Sequence, residues 1–228
     1  MSLILHSHPL SSYCHKVLIA LYESGTPFTA EMVNLGDSAA RAAYAALWPT
    51  AKIPLLQDTG RDHIVPETSI MIEYLDRHYP GAQPLLPKDP ATALEARLWD
   101  RMFDCYVMTP MQRFVGERLR PEAERDPRAE PESQNTLTTA YGMIDRHMAT
   151  RTFAAGDAFS IADCAAVPAL FYAGIIAPFP DDHKHLGAYF ERLVARPSVA
   201  RVITEARPFF QYFPFKELMP ARFLEGPA

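Results

Sequence analysis

Two serines and a cysteine lie close together near the start of the chain, as Ser11, Ser12 and Cys14. They follow the apolar run Leu3 to His6, which is typical of a strand, and they precede a run with apolar residues at helical spacing. Ser11 or Ser12 is therefore expected to cap that helix. Because the first turn of a helix has unpaired N–H groups and a partial positive charge, this position favours a bound anion such as a thiolate.

Ser11 and Cys14 form the ends of a Ser-x-x-Cys pattern. This pattern resembles the active-site turn of glutaredoxin-like proteins, with a serine where the first cysteine of Cys-x-x-Cys would stand. One thiol and one hydroxyl cannot form the intramolecular disulfide of such a motif, but the hydroxyl can donate a hydrogen bond to a ligand's sulfur anion. Two plainer interpretations stay open: the serine is only a helix cap, and Cys14 is a small buried apolar residue. His15 and Lys16 are expected to face solvent.

The composition argues against several classes of function. The 228 residues are 48% hydrophobic, which is enough for one large domain or two smaller ones. A net charge of -5 without a basic cluster argues against a partner such as nucleic acid or an anionic membrane. The sequence shows no apolar run of membrane-spanning length and no secretory leader pattern, so a cytoplasmic protein is expected.

The cysteines and histidines do not have the spacing of metal ligands. Cys14, Cys105 and Cys164 are odd in number and far apart, which is not typical of a disulfide framework. We therefore expect neither a metal site nor a set of disulfides in this chain.

The first third of the chain alternates between strand-like and helix-like patterns. The opening strand, helix and strand predict a parallel βαβ unit, because the crossover is longer than a dozen residues. Residues 38–47 are alanine-rich and fit either a short helix or an irregular loop. Further along, we expect Pro54 at the start or edge of a strand, residues 63–65 as its antiparallel partner, and Thr68 or Ser69 as the next helix cap.

A proline-rich stretch over residues 81–90 is typical of a linker, and the chain after it is helical in pattern. The first apolar residues after the linker have helical spacing: Leu94, Leu98, Trp99, Met102, Phe103 and Tyr106. Ser160 and Asp163 resemble a capping box, and the apolar run after them predicts a helix buried at the centre of its domain. The aromatic C-terminal tail is too apolar to lie free in water, so we expect it to pack on the protein.

These motifs follow one another in the order found in the cytosolic glutathione transferases, which the chain resembles over nearly its whole length. The resemblance implies an α+β/α fold. A thioredoxin-like βαβ-α-ββα domain over residues 1–80 would be followed by the linker 81–90 and by an all-helical domain over residues 91–228. The resemblance rests on four short motifs: Ser11-x-x-Cys14-x-Lys16, Lys52-Ile53-Pro54, Glu67-Thr68 and Ser160-Ile161-Ala162-Asp163.

The family implies glutathione as co-substrate and indicates where it binds. The proline at the Pro54 position is cis in such proteins, and the residue before it offers its main chain to the cysteinyl part of glutathione. A carboxylate and a hydroxyl at the next helix start bind the γ-glutamyl end. Trp48 and Ala51 depart from the family's usual residues near the glycyl end. The resemblance assigns glutathione contacts to Lys52, Ile53, Pro54, Glu67 and Thr68.

The family also implies a catalytic group. Ser11 falls on the catalytic serine of the serine-type classes, with Ser12 as the alternative. The hydroxyl and the helix N-terminus would stabilise the glutathione thiolate, which then attacks a small hydrophobic electrophile. The side chains expected at the electrophile site, each of which also fits a core position, are Met102, Phe103, Tyr106, Phe171 and Tyr172.

Two other functions stay open. One is a glutathione-dependent thiol-disulfide oxidoreductase that uses Cys14 as its thiol. The other is a non-catalytic glutathione-binding protein, because a fold does not fix a function. The resemblance further implies a homodimer and a role in detoxification, with glutathione and a small electrophile as partners.

Overall fold

The structure, a computed structural model, describes residues 2–225. The chain divides into two compact units, Met1–Leu86 and Pro87–Ala228. The division falls within the stretch 81–90, for which the sequence predicts a linker. No helix in residues 2–225 is long and apolar enough to cross a membrane.

The first unit contains a mixed sheet with helices. Within the described residues, the sheet has four strands in the order β2-β1-β3-β4. The strand β1 is parallel to β2 and antiparallel to β3, and β3 is antiparallel to β4. This is the predicted thioredoxin-like arrangement, and the ambiguous residues 38–47 are helical. The elements are β1 (Leu3–Ser7), α1 (Ser12–Ser24), β2 (Thr29–Met32), α2 (Ser38–Leu47), β3 (Leu55–Asp58), β4 (His63–Val65) and α3 (Thr68–His78).

Helix α1 is buried on more sides than the sequence predicts. The expected face, which includes Cys14 and Leu21, is fully buried. The expectation that His15 and Lys16 face solvent is wrong, because their side chains are 3% and 0% exposed. Helix α3 packs against α1 and covers this side, where Nζ of Lys16 donates a hydrogen bond of 3.0 Å to Oγ of Ser69.

The start of α3 differs from the prediction in its capping residue. The N-cap is Glu67, in a left-handed conformation with φ of 64°, and not Thr68 or Ser69. Glu67 makes no side-chain capping bond. Because Ser69 already accepts a hydrogen bond from Lys16, its hydroxyl serves the contact between α1 and α3.

A buried carboxylate joins the far end of β3 to α3. Asp58 is fully buried and accepts hydrogen bonds from the hydroxyls of Tyr79 at 2.5 Å and Tyr74 at 2.8 Å, and from the N–H of Gly60 at 3.1 Å. Burial opposes ionisation, but these donors outweigh it and lower the pKa of Asp58. The network therefore holds an ionised carboxylate inside the first unit.

The second unit is helical, as predicted. Among its described residues, the only strand-like feature is an isolated bridge between Phe153 and Gly156. Its helices are α4 (Pro90–Phe103), α5 (Thr109–Arg118), α6 (Ala129–Met148), α7 (Ile161–Ile176), α8 (Lys184–Val194), α9 (Pro197–Ala206) and α10 (Ala221–Leu224), with a π-helical turn at Asp104–Met108 and 3₁₀ turns at Glu122–Glu124, Arg207–Tyr212 and Lys216–Leu218.

Helix α4 forms where the apolar spacing predicts it, and it buries part of that apolar set. Trp99 and Phe103 are buried, whereas Leu94 and Leu98 are 68% and 55% exposed. The buried side has the small residues Ala93 and Ala96 next to Trp99. Small side chains allow close approach of α4 to α7, which it contacts extensively. Two leucines are thereby left on the outer side of α4.

The predicted capping box opens α7. Asp163 accepts hydrogen bonds from the N–H and hydroxyl of Ser160, from the N–H of Ala154 and from the hydroxyl of Tyr189. Burial raises the pKa of Asp163, and these four donors oppose the rise. Nearly every residue of α7 is buried, which confirms the predicted central helix.

The aromatic tail packs on the protein, as expected, and its contacts lie in the helical unit. Phe210 and Phe223 contact the ring of Phe171, and Phe213 contacts Tyr172, so the tail covers α7. Both carboxylate oxygens of Glu191 accept hydrogen bonds from Arg222, at 2.8 and 2.9 Å. The tail residues with buried side chains are Phe210, Phe213, Phe215, Met219 and Phe223.

The hydrogen bonds that Asp163 accepts at the start of α7 should contribute strongly to the stability of the helical unit. We expect Asp163→Ala to lower the free energy of unfolding by about 3 to 5 kcal/mol, because buried donors of Ala154 and Tyr189 lose their acceptor. Urea unfolding followed by circular dichroism measures this. The matched control is Asp182→Ala, at a side chain that is 88% exposed, which should change stability by less than about 0.5 kcal/mol. Equal effects of the two substitutions would contradict the prediction.

Candidate active site

Strand pairing brings three segments of the first unit to one edge of its sheet. His6 pairs with Leu55, so the chain that follows β1 and the chain that precedes β3 leave the sheet at the same end. Leu56 pairs with Val65, which places the chain after β4 at this end too. The three segments are the turn to Ser11, the Lys52 to Pro54 loop and the start of α3. The predicted glutathione contacts and both candidate serines therefore lie at one edge.

Ser11 is the N-cap of α1. Its backbone is extended, with φ of -78° and ψ of 115°, and its Oγ accepts a hydrogen bond of 3.3 Å from the N–H of Cys14. The cap uses a lone pair of the oxygen, so the hydroxyl hydrogen can donate either to the sulfur of Cys14 or to a ligand. Ser11 is partly exposed, whereas Ser12 is 3% exposed. A ligand therefore has better access to Ser11 than to Ser12.

The turn before Ser11 is held by its own hydrogen bonds. The N–H of Ser11 donates to the carbonyl of His8 at 3.0 Å. Nε2 of His15 donates to the carbonyl of Pro9 at 2.6 Å. Since His15 is buried, this bond ties the turn to the body of α1 and fixes the direction in which the cap faces.

Cys14 is an unfavourable nucleophile in this environment. Its side chain is 0% exposed, and burial raises the pKa of its thiol to about 12, although the hydrogen bond with Ser11 opposes the rise. At pH 8 only about one molecule in ten thousand would carry the thiolate. The chemistry of a reactive cysteine requires a more accessible and more acidic thiol.

The loop before β3 offers main-chain groups next to a cis peptide bond. The Ile53–Pro54 bond is cis, Ile53 is partly exposed and Lys52 is exposed. Ala51 has a left-handed φ of 50°. Trp48 packs against a small core of Val33, Tyr44, Ala51 and Leu55, so the indole serves packing.

The start of α3 supplies the third part of the edge. Glu67 is exposed and Thr68 is 8% exposed at the first helical position. Helices α1 and α3 both begin at the edge of the sheet where the loop lies, so the positive ends of both helix dipoles lie there. Such an edge favours a ligand with carboxylate and thiolate groups.

The predicted electrophile residues divide into two groups in the helical unit. Met102 and Tyr106 line a groove of about 460 Å³ together with residues of α6. The other three lie in the core: Phe103 contacts Trp99 and Tyr189, and Phe171 and Tyr172 contact the aromatic tail. Only Met102 and Tyr106 of this set line the groove.

Sequence reasoning missed two polar groups that organise the edge. One is Lys16, and the signal for its burial was the run Val17 to Leu21, which is apolar on every side of the helix. The other is Tyr44, whose hydroxyl donates to the carbonyl of Lys52 at 2.8 Å. Among residues 2–225, no group of three or more His, Cys, Asp or Glu side chains is placed to hold a metal ion.

Comparison with known protein families decides the identity of the chain. The model of the glutathione S-transferase N-terminal domain matches residues 5–83, and that of the glutathione S-transferase C-terminal domain matches residues 102–197. The chain belongs to the glutathione S-transferase family. The two matched domains together cover most of the sequence, in the order that the structure shows.

The relatives of this glutathione S-transferase family member include proteins named as transferases and a protein with a different name. A solved glutathione S-transferase from Methylobacterium radiotolerans, in complex with glutathione sulfonate, is 30% identical, with a TM-score of 0.76 over 88% of this chain and 93% of its own. The glutathione S-transferase GstB of Escherichia coli is 25% identical over 85% of this chain and 93% of its own. A stringent starvation protein A homolog of Coxiella burnetii is 27% identical over 89% of this chain and 91% of its own.

The burial of Cys14 predicts that its thiol is inert in the native protein. We expect iodoacetamide at pH 8 to leave Cys14 unmodified in the folded chain and to alkylate it after denaturation in guanidinium chloride, because the thiolate is scarce and shielded. Mass spectrometry of the peptide that contains Cys14 measures this. Rapid alkylation of Cys14 in the native protein would contradict the prediction and would restore the oxidoreductase hypothesis.

Proposed function

We propose that this protein is a glutathione transferase, in which Ser11 and the N-terminus of α1 activate the thiol of glutathione. The observation that carries the proposal is the geometry of Ser11. Its oxygen accepts the capping bond from Cys14, so its hydroxyl hydrogen would be able to turn toward a thiolate bound at the positive end of the helix. The membership of the chain in the glutathione S-transferase family supports the same ligand.

The edge of the sheet has complementary groups for each part of glutathione. The main chain of Ile53 would pair with the cysteinyl residue as an added strand. The carboxylate of Glu67 would bind the ligand's ammonium group, and Thr68 at the start of α3 would bind its γ-glutamyl carboxylate. The exposed Lys52 would approach the glycyl carboxylate.

The proposed reaction begins with loss of the thiol proton to solvent. A free thiol has a pKa of about 8.5, and the helix N-terminus with one hydroxyl donor would lower it by about one to two units. The thiolate sulfur then forms a bond to an electrophilic carbon. In a substitution the leaving group departs with its electron pair, and in an addition the pair moves onto an electron-withdrawing group of the acceptor.

A second candidate function is glutathione binding without catalysis. It is favoured by the similarity to a stringent starvation protein A homolog, whose name does not describe a transferase. Burial of Cys14 gives less support to a thiol-disulfide oxidoreductase. The two remaining functions differ in whether bound glutathione is ionised at neutral pH.

The state of the bound thiol tests the proposed function. We expect the thiolate of glutathione bound to the wild-type protein to appear about one to two pH units below that of free glutathione. In Ser11→Ala it should appear about one unit higher than in the wild type, because one hydrogen-bond donor is lost. Ultraviolet difference absorbance between pH 5 and 9 measures this titration.

Ser12→Ala is the matched control for the same titration. Its hydroxyl is buried in the first turn of α1, so the titration of bound glutathione should stay at the wild-type pH. Identical titrations of the wild type and Ser11→Ala would remove the assigned role of Ser11. Binding of glutathione without a thiolate signal in the wild type would favour the non-catalytic function.

We also propose that the protein is a homodimer, as the family resemblance implies. The outer side of the helical unit carries large apolar side chains: Leu94 and Leu98 are more than half exposed, as is Tyr106, and Met143 is 38% exposed. Met102 lies one turn beyond Leu98 and lines the same groove as Tyr106 and Met143. A contiguous exposed apolar surface of this kind is typical of an interface.

The dimer proposal predicts a substitution that separates the subunits. We expect Leu98→Glu to convert a dimer into a monomer, because a buried unpaired carboxylate is costly at an interface. Light scattering after size exclusion at about 10 μM measures the mass. Leu119→Glu, at a leucine that is 71% exposed at the end of α5, is the control and should stay dimeric. A monomeric wild-type protein would contradict the proposal.

A further inference from the structure

Helix α2 is anchored to the first unit through one tyrosine. Among residues 38–47, all of which the structure describes, Tyr44 alone is buried, at 4% exposed. Its ring packs with Val33, Ala51 and Leu55, and it lies 5.8 Å from the ring of His6. The remainder of α2 is mainly alanine and is exposed or partly exposed. Tyr44 therefore supplies the buried contact of α2 with the rest of the unit, and Ala45 packs against the same core.

The hydroxyl of Tyr44 points to the loop before β3. It donates a hydrogen bond of 2.8 Å to the carbonyl of Lys52, the residue directly before Ile53. Burial raises the pKa of Tyr44 above its ordinary value, so the hydroxyl keeps its proton and stays a donor. At the other side of Lys52, the N–H of Ala51 donates to the carbonyl of Trp48 at 2.9 Å.

This bond acts on a segment of backbone with unusual geometry. Ala51 has a positive φ, and the peptide bond after Ile53 is cis. The carbonyl of Lys52 and the N–H of Ile53 belong to one planar peptide group, so the orientation of one fixes that of the other. A donor on this carbonyl therefore sets the direction of the Ile53 N–H, which is a proposed contact with glutathione, and holds the backbone from which the Lys52 side chain extends.

We propose that Tyr44 is a positioning residue, which holds the Lys52 to Ile53 peptide group in the orientation that binds the cysteinyl and glycyl parts of glutathione. The inference rests on the proposed function for its ligand. Tyr44 acts through the carbonyl of Lys52 and leaves activation of the thiol to Ser11. Its hydroxyl therefore influences the affinity for glutathione and leaves the ionisation of the bound thiol unchanged.

Tyr44→Phe tests this role, because it keeps the packed ring and removes only the donor. We expect the dissociation constant for glutathione, measured by calorimetry, to increase about five- to tenfold. The pH at which bound thiolate appears should equal that of the wild type at saturating glutathione. We also expect hydrogen exchange at the amide of Ala51 to accelerate about tenfold without ligand, because the loop opens more often.

Tyr74→Phe is the matched control. It removes a hydrogen bond of the same 2.8 Å length, from Tyr74 to Asp58, at the opposite end of β3. It should lower thermal stability without changing either the affinity for glutathione or exchange at Ala51. An unchanged affinity in Tyr44→Phe, or an equal loss in Tyr74→Phe, would overturn the positioning role.

The two readouts separate this inference from the proposed function. If the wild-type protein did not bind glutathione, the proposed function would fail, and exchange at Ala51 would still report whether Tyr44 orders the loop. Unchanged exchange in Tyr44→Phe would overturn the role of Tyr44 whether or not glutathione binds. Faster exchange together with weaker binding supports both.

Discussion

The antiparallel pairing of β1 with β3 is the constraint on which the candidate site depends. Because His6 pairs with Leu55, the turn that carries Ser11 and the loop that carries Ile53 leave the sheet at one end. A shift of one residue would turn the fully buried Leu3 and Leu5 to the opposite face of the sheet. The core of the first unit therefore fixes the register, and the register fixes the site.

Much of this arrangement was predictable from local sequence. Ser11 before an apolar helical run predicted a cap, and the Ser160 to Asp163 pattern predicted the start of a buried helix, because both signals depend on residues within one turn of each other. The order of the four family motifs predicted the fold class of both units. The cis bond before Pro54 followed only from the family resemblance, since an isolated Ile-Pro pair favours the trans form.

Features that depend on packing between distant segments were not predictable in the same way. Lys16 is buried because α3 covers that side of α1, and α3 begins about fifty residues later in the chain. Leu94 and Leu98 are exposed because alanines on the other side of α4 allow closer packing on α7. The hydrogen bond from Tyr44 to the carbonyl of Lys52 could not be predicted from the spacing of apolar residues, since one partner is a main-chain atom that every residue has.

The aromatic tail has a consequence for biosynthesis. Phe223 in the tail packs on the ring of Phe171 in the central helix α7. This contact cannot form until Phe223 has left the ribosomal exit tunnel. The first unit can therefore fold during translation, as N-terminal domains commonly do, whereas the core of the helical unit is completed only when the tail has emerged and packed on α7.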